Sequence, residues 1–391
     1  MTNERLNELY AIYHDGLIDD TLGYWLPNCV DKEDGGFTFA MDREGNVYDT
    51  DKGMWQQCRF TWMIAEMYNE VEPRPEWLEL AKHGVDFIDK HGFDIDGRMW
   101  FHVTKEGEPI RKRRYVFTET FAAIAYAAYS KASGDQAYAK KAQDLFDQII
   151  HYTSTPGALE AKFTDVRKAN GIGFPMIMTN VCQQLRKNLG GNQWDAYIDE
   201  YITSMRDDYM KHDIKCVMET LSEDNEIMDT FDGRLLNPGH AIEGAWFVMQ
   251  EARLRGDKEM LQQGLTMLDW MWERGWDKEH GGIIYFRDVY DKPIQEYWHD
   301  MKFWWPQNEA IIATLMAYVE TGDEKYAKWH QQIHDYGYQN FHDKEHGEWY
   351  GYLHRDGRVS TDLKGNLWKA PFHYPRQQLI CSQLVDELRK R

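Results

Sequence analysis

The stretch "NEAIIATLMAYVETGDEKYAKWH", Asn308 to His330, decides the fold. Up to Glu320 its apolar residues recur at helical spacing and leave almost no polar face, as a buried helix requires. Thr-Gly-Asp then stops the helix, and a more polar one begins. Two helices joined so tightly form an antiparallel hairpin.

The same turn recurs along the chain. "VEPRPEWLELA" at Pro73, "SGDQAYAKKA" at Gly134, "GGNQWDAYIDE" at Gly191, "RGDKEMLQQG" at Gly256 and "TGDEKYAKWH" at Gly322 are spaced by 61, 57, 65 and 66 residues. Each places a Gly or Pro stop before a polar residue suited to capping the next helix. Between hairpins the texture changes to alternating aromatic and polar residues around turn signals, as in "DGGFTFAMDREGNVYDTDKGMW", "DGRMWFHVTKEGEPIRKRRYVF", "HGGIIYFRDVYDKPIQEYWHDMKFWW" and "HGEWYGYLHRDGRVSTDLKGNLWKAPF". These segments predict short β-hairpins.

Helices that follow such segments start near residues 57, 117, 172, 239, 306 and 374, and their partners near 75, 135, 193, 257 and 323. The N-terminal helix, at about residues 5 to 20, is left to pair with the last. Units that cannot bury their faces alone must stack, and one unpaired helix at each end favours a closed ring over an open solenoid. The expected fold is one all-α domain over residues 1–391, an (α/α)6 barrel with β-hairpins at its mouth. The helices richer in alanine and apolar residues form the inner ring.

Composition narrows the function. Acidic residues outnumber basic ones 65 to 45, a formal charge of −20, which works against a nucleic-acid partner. Cys29, Cys58, Cys182, Cys216 and Cys381 are scattered and never form a CxxC pair, so neither a disulfide framework nor a structural zinc site is expected and a reducing cytoplasm fits. The N-terminus lacks an apolar leader, and no apolar run approaches a membrane span. No GxxxxGK[ST] or GxGxxG cradle follows a strand.

In a ring of this kind the inner helices all start at one opening, where residues distant in sequence converge. They are Arg59, Tyr115, Asn180, His240, Glu243, Trp304, Trp305, Glu309, His373 and Arg376. His240, in "GRLLNPGHAIEGAWFVMQEARLRG", and His373 open two inner helices after proline-containing turns. Facing imidazoles supply an acid and a base near neutral pH. Glu243 and Glu309 are placed to tune them, and Arg59 to hold an oxyanion. Trp304, Trp305 and Tyr115 offer flat faces to a sugar ring.

Each residue also has an ordinary reading. A helix-start histidine with a glutamate three residues on is, singly, a common capping arrangement, and the tryptophans singly are packing residues. His330 and His334 have the spacing of zinc ligands, but on an outer polar helix without a third ligand no metal is expected. The run Arg111 to Arg114 reads as a solvated turn.

The strings "CRFTWMIAEMY", "IGFPMIMTNVCQQL", "GRLLNPGHAIEGAWFVMQEA", "KFWWPQNEAIIATLMAY" and "APFHYPRQQL" resemble the signature segments of the N-acylglucosamine 2-epimerase family, over essentially the whole chain. The resemblance implies an (α/α)6 barrel, usually a homodimer, and cofactor-free proton exchange at C2 of an aldose. It places His240 and His373 as acid and base, with Arg59, Glu243 and Glu309 in supporting positions; Asn180 and Arg376, at the same opening, are expected among the sugar contacts. "GFPMIMTN" is similar to the N-acetylhexosamine branch. The cellobiose 2-epimerase and aldose-ketose isomerase branches carry a third histidine about there, where this chain has Ile177 and no histidine between His151 and His212. The implied substrate pair is N-acetylmannosamine and N-acetylglucosamine, which points to amino-sugar metabolism and sialic acid catabolism. Mammalian members of that branch are known as renin-binding proteins and respond to nucleotide such as ATP; no motif here marks a nucleotide site. Other readings of the barrel are an epimerase of unsubstituted sugars, a glycoside hydrolase using Glu243 and Glu309, and a non-catalytic scaffold.

Overall fold

Gly134, Gly256 and Gly322 each end a helix in the left-handed conformation, with φ of 76°, 67° and 68°, where a missing Cβ removes the steric cost. Asp follows each of them and accepts the first free N–H groups of the next helix: Asp135 from Ala137, Asp257 from Glu259 and Met260, Asp323 from Lys325. One glycine stops a helix and one aspartate starts its partner.

The computed structural model describes residues 1–391. Helix α1 covers residues 3–29, with wider π-type turns at Ala11–Asp15 and Leu17–Thr21. The hairpins follow as α2 (Met54–Glu70) with α3 (Pro75–His91), α4 (Phe117–Ser133) with α5 (Gln136–Ser154), and α6 (Gly173–Leu189) with α7 (Asp195–Ser204). Then come α8 (Pro238–Arg255) with α9 (Lys258–Gly275), α10 (Trp304–Thr321) with α11 (Glu324–Asn340), and finally α12 (His373–Lys390). Even-numbered helices form the inner ring of an (α/α)6 barrel, each packed on the next. The ring closes where Phe372, at the start of α12, meets Trp62 of α2 with ring centroids 5.5 Å apart. As expected, α1 packs on α12.

Expected and observed starts of the inner helices agree to within three residues, because a glycine or proline, Gly53, Gly173, Pro238, Pro306 or Pro375, marks five of the six. No helix is long and apolar enough to cross a membrane.

Two connecting segments are clamped to the inner helices in the same way. Gln57 and Gln307, each in the first turn of an inner helix, bond both backbone groups of one loop residue, Phe37 and Ile283 respectively, at 2.7 to 2.9 Å. Buried Lys52 and Lys302, two residues before α2 and α10, reach Asp31 and Asp277 at 2.8 and 2.9 Å. A buried lysine is tolerated only when so paired. The clamps tie these two segments to the mouth of the barrel.

The strands depart in part from expectation. Ala40–Met41 pairs with Val47–Asp49, and Trp100–Val103 with Pro109–Lys112, as hairpins within their segments. Arg287–Asp288 instead pairs with Leu235–Leu236, and Lys302–Phe303 with Tyr352–Leu353, so these strands stitch neighbouring segments together. Alternation specifies a pleated strand but not the edge it joins. A pair with no expectation behind it, Ala169–Gly171 with Thr220–Ser222, becomes important at the site.

His330 and His334 are a second correction. Both are buried, because this face of α11 turns to α1, and both rings meet the Tyr13 hydroxyl, at 3.2 and 2.7 Å. Burial presses both imidazoles below the usual histidine range.

Candidate active site

The tripeptide before His240 has three separate jobs. The Asn237 side chain accepts the His240 N–H as the helix cap, and Pro238 occupies the first helical position, where its missing N–H costs nothing. A Cβ on Gly239 would lie 2.7 Å from the Trp305 indole, so only glycine lets α8 approach α10 here. His240 is thereby brought against Trp305, with ring centroids 5.0 Å apart. His373 lies on the same indole at 5.7 Å.

Both histidines line a cavity of about 770 Å3 at the barrel mouth, with Arg59, Asn180, Glu243, Trp304, Trp305 and Arg376. That volume lies in the range of small-molecule sites. Of the other expected residues, Glu309 lies fully buried just beneath, and Tyr115 stands behind the wall. Tyr115 packs on Phe117 at 5.0 Å and on Trp55 at 6.2 Å, and those two rings take the wall position instead.

Each imidazole is held through Nδ1 by a carboxylate. Glu309 Oε1 accepts from His373 Nδ1 at 2.6 Å. Glu219 Oε1 accepts from His240 Nδ1 at 2.9 Å. With Nδ1 carrying the bonded proton, Nε2 of each ring is the atom left for proton transfer.

The hydrogen-bond partner of His240 is Glu219 and not Glu243, although Glu243 also favours the charged form of the ring. Three residues along α8, Glu243 turns to Arg376, whose Nη2 bonds Glu243 Oε1 at 2.5 Å and Glu309 Oε1 at 2.6 Å. Trp246 Nε1 donates to the second oxygen of Glu309 at 2.7 Å. Ligand atoms of Glu243, Glu309 and His373 lie within 4.8 Å of one another, a grouping able to hold a metal. The Arg376 guanidinium already supplies the cation at that point. Both carboxylates are tied to that one guanidinium.

Arg59 has no ion pair. Its guanidinium lies over Phe121 at 4.0 Å, Phe372 at 4.6 Å and Trp55 at 5.2 Å, and its Nε has no hydrogen-bond partner. Burial pushes its pKa down, yet a guanidinium stays charged at neutral pH. It is an uncommitted cation in an aromatic box on the cavity wall, suited to an oxyanion.

The two imidazoles respond oppositely to these surroundings. For His240 burial works against the charged form, but Glu219, then Glu243 and Glu309, outweigh it and raise the pKa. For His373 burial dominates, Arg376 adds to it, and the ring is held well below the usual range.

Glu219 carried no signal in the sequence: "VMETLSED" has neither a motif nor a helical period. Its backbone carbonyl accepts the Ile172 N–H at 3.0 Å, next to the pairing of Ala169–Gly171 with Thr220–Ser222, and this anchors the side chain between α6 and α8.

A sequence model of the N-acylglucosamine 2-epimerase (GlcNAc 2-epimerase) family matches residues 35–373. An N-acylglucosamine 2-epimerase of Bos taurus is 34% identical over 385 residues, covering 96% of this chain and 90% of that protein. A cellobiose 2-epimerase of Bacteroides fragilis is 23% identical over 402 residues, covering 94% of this chain and 96% of that one. Among solved structures, that of a D-mannose isomerase superposes with a TM-score of 0.84 at 17% identity, covering 97% and 98% of the two chains.

Proposed function

The chain belongs to the N-acylglucosamine 2-epimerase family, and from that premise we propose that it interconverts N-acetyl-D-mannosamine and N-acetyl-D-glucosamine by exchanging the C2 proton of the open-chain sugar. The observation that carries this reading is the pair of histidines, each held through Nδ1 by its own carboxylate and both set against Trp305 in one cavity. Two bases on opposite sides of C2 can invert it.

The C2 proton is acidic only beside the free C1 aldehyde, so the site must admit the open chain, take the proton and hold the enolate oxygen. One histidine removes the proton through Nε2 while Arg59 stabilises the charge building on O1. The other delivers a proton to the opposite face, and the roles exchange in the reverse direction. Glu309 orients His373. Glu243 acts at one remove, through Arg376, which it shares with Glu309. Arg376 thereby serves chiefly to lock the carboxylates. Trp304, Trp305 and Asn180 are the sugar contacts, and no cofactor enters any step.

The acetamido branch is favoured by the higher identity to the bovine N-acylglucosamine 2-epimerase than to the cellobiose 2-epimerase, 34% against 23%. Met176 and Ile177 give the cavity an aliphatic wall for an acetyl methyl. The same reading places the protein in the cytoplasm, in sialic acid catabolism, as a homodimer joined through outer helices; light scattering of a monomer at micromolar concentration would contradict the assembly.

The direct test is to incubate the protein with N-acetylmannosamine, and separately with chitobiose, and follow both by proton NMR. Formation of N-acetylglucosamine from the first, with chitobiose intact, is expected. Hydrolysis of chitobiose, or no change in either, overturns the proposal.

A further inference from the structure

The two histidines are held by carboxylates in unlike company. The one ion pair of Glu219 is with His240. Around His240 stand Glu219 from the strand segment, Glu243 from its own helix and Glu309 from α10, with the Tyr285 phenol on the same cavity wall. Around His373 stand Glu309, Arg376 from its own helix, Glu243 from α8, Arg59 from α2 and His240 across the cavity. The Glu309 oxygen that holds His373 also holds Arg376, whose Nη2 lies 3.3 Å from the His373 ring nitrogen. One imidazole therefore faces an unshared carboxylate, and the other faces a carboxylate already neutralised.

Building on the epimerase reading, we infer that Glu219 is a positioning residue that keeps His240 as the protonated member of the pair, so that the resting enzyme carries an imidazolium at His240 and a neutral base at His373. The opposite displacements of the two rings from the ordinary histidine range agree with this.

The inference gives the resting enzyme a direction. The C2 proton passes to His373 Nε2, and the electron pair of the broken C–H bond moves into the enolate, whose oxygen is held by Arg59. His240 Nε2 then gives its proton to the opposite face of C2, and the carbonyl re-forms. The cycle ends with His373 charged and His240 neutral, which is the form needed by the other epimer, and the pair resets by exchanging a proton with water. Glu219 sets which epimer the free enzyme is ready to accept, although it touches no reacting atom.

The test is an NMR titration of protein carrying 13C at histidine Cε1, in wild type, Glu219→Gln and Glu219→Asp, with His240→Gln and His373→Gln used for assignment. In wild type His240 should titrate above the ordinary histidine range and His373 below it. In Glu219→Gln the His240 titration should move to lower pH while that of His373 stays, and kcat should fall on the order of 10²-fold with KM little changed. Glu219→Asp should recover part of both losses. An unmoved His240 titration in Glu219→Gln, or a wild type in which His373 is charged while His240 is neutral, overturns the inference. The titration reads protonation without turnover, so an enzyme that does not epimerise would sink the proposed function and leave this result standing by itself.

Discussion

His373 and Glu309, 64 residues apart on neighbouring inner helices, are joined by a buried 2.6 Å hydrogen bond from Nδ1 to Oε1. Trp246 and Arg376 hold the same carboxylate, so the imidazole is fixed in orientation and tautomer before any substrate arrives. Glu309→Gln keeps the shape but offers His373 Nδ1 an amide that can present either a donor or an acceptor. We expect kcat to fall by about 10²- to 10⁴-fold with KM changed little. Steady-state kinetics on N-acetylmannosamine checks this, and wild-type kcat would remove Glu309 from the mechanism.

Arg376 compensates two buried carboxylates at once. Removing one partner from a buried ionic cluster leaves charge uncompensated in a low dielectric, so Arg376→Leu should destabilise the fold by about 3–5 kcal/mol in urea unfolding. A loss below about 1 kcal/mol, the value of an exposed ion pair, would mean that the cluster contributes no more than a surface contact.

The barrel was legible in the sequence because its joints are chemical. Gly-Asp turns at 134, 256 and 322 and the Asn-Pro-Gly before His240 each announce a helix end or start, and six inner starts in register bring eight of the ten expected residues to one cavity, Glu309 lying beneath it and Tyr115 behind its wall. What the sequence could not carry were relations across space. Glu219 comes to His240 through a strand pairing with residues 169–171, and nothing local marks that pairing. Tyr115 and Trp55 are equally plausible wall aromatics until backbone geometry decides which of them faces the cavity. His330 and His334 sit among Lys, Gln and Asp, so the face that α1 covers looks solvated.

His330, His334 and His373 are buried with pKa values pressed below the usual 6.5, to about 3 for His330. Below pH 6.5 the unfolded chain takes up protons that the folded chain refuses, so stability falls with pH through this window. Each ring contributes at most about 1.4 kcal/mol per pH unit. His240, with its pKa raised, contributes in the opposite sense, a stabilisation lost as pH rises. Urea midpoints should drop between pH 7 and pH 5, and less steeply in His330→Gln. Equal slopes in the two proteins would contradict the account.

Substrate choice should follow the wall at α6. An acetamido methyl against Met176 and Ile177 gains on the order of 1 kcal/mol, and the Asn180 amide on the same wall can pair with the acetamido group. N-Acetylmannosamine and N-acetylglucosamine should therefore exceed mannose and cellobiose in kcat/KM. Asn180→Ala should lower kcat/KM for the acetamido sugars about tenfold and leave mannose nearly unchanged. A preference for mannose or cellobiose counts directly against this branch.

The central claim is that two histidines exchange the C2 proton with solvent from opposite faces. Proton NMR of N-acetylmannosamine with the enzyme in D2O tests it most directly, run on wild type, His240→Ala and His373→Ala. Wild type should place deuterium at C2 of both product and recovered substrate. Neither variant should epimerise, and one of them should still exchange C2 in a single epimer, the mark of a lone base working on one face. Product that retains its original hydrogen at high turnover, or either variant turning over like wild type, would contradict the account.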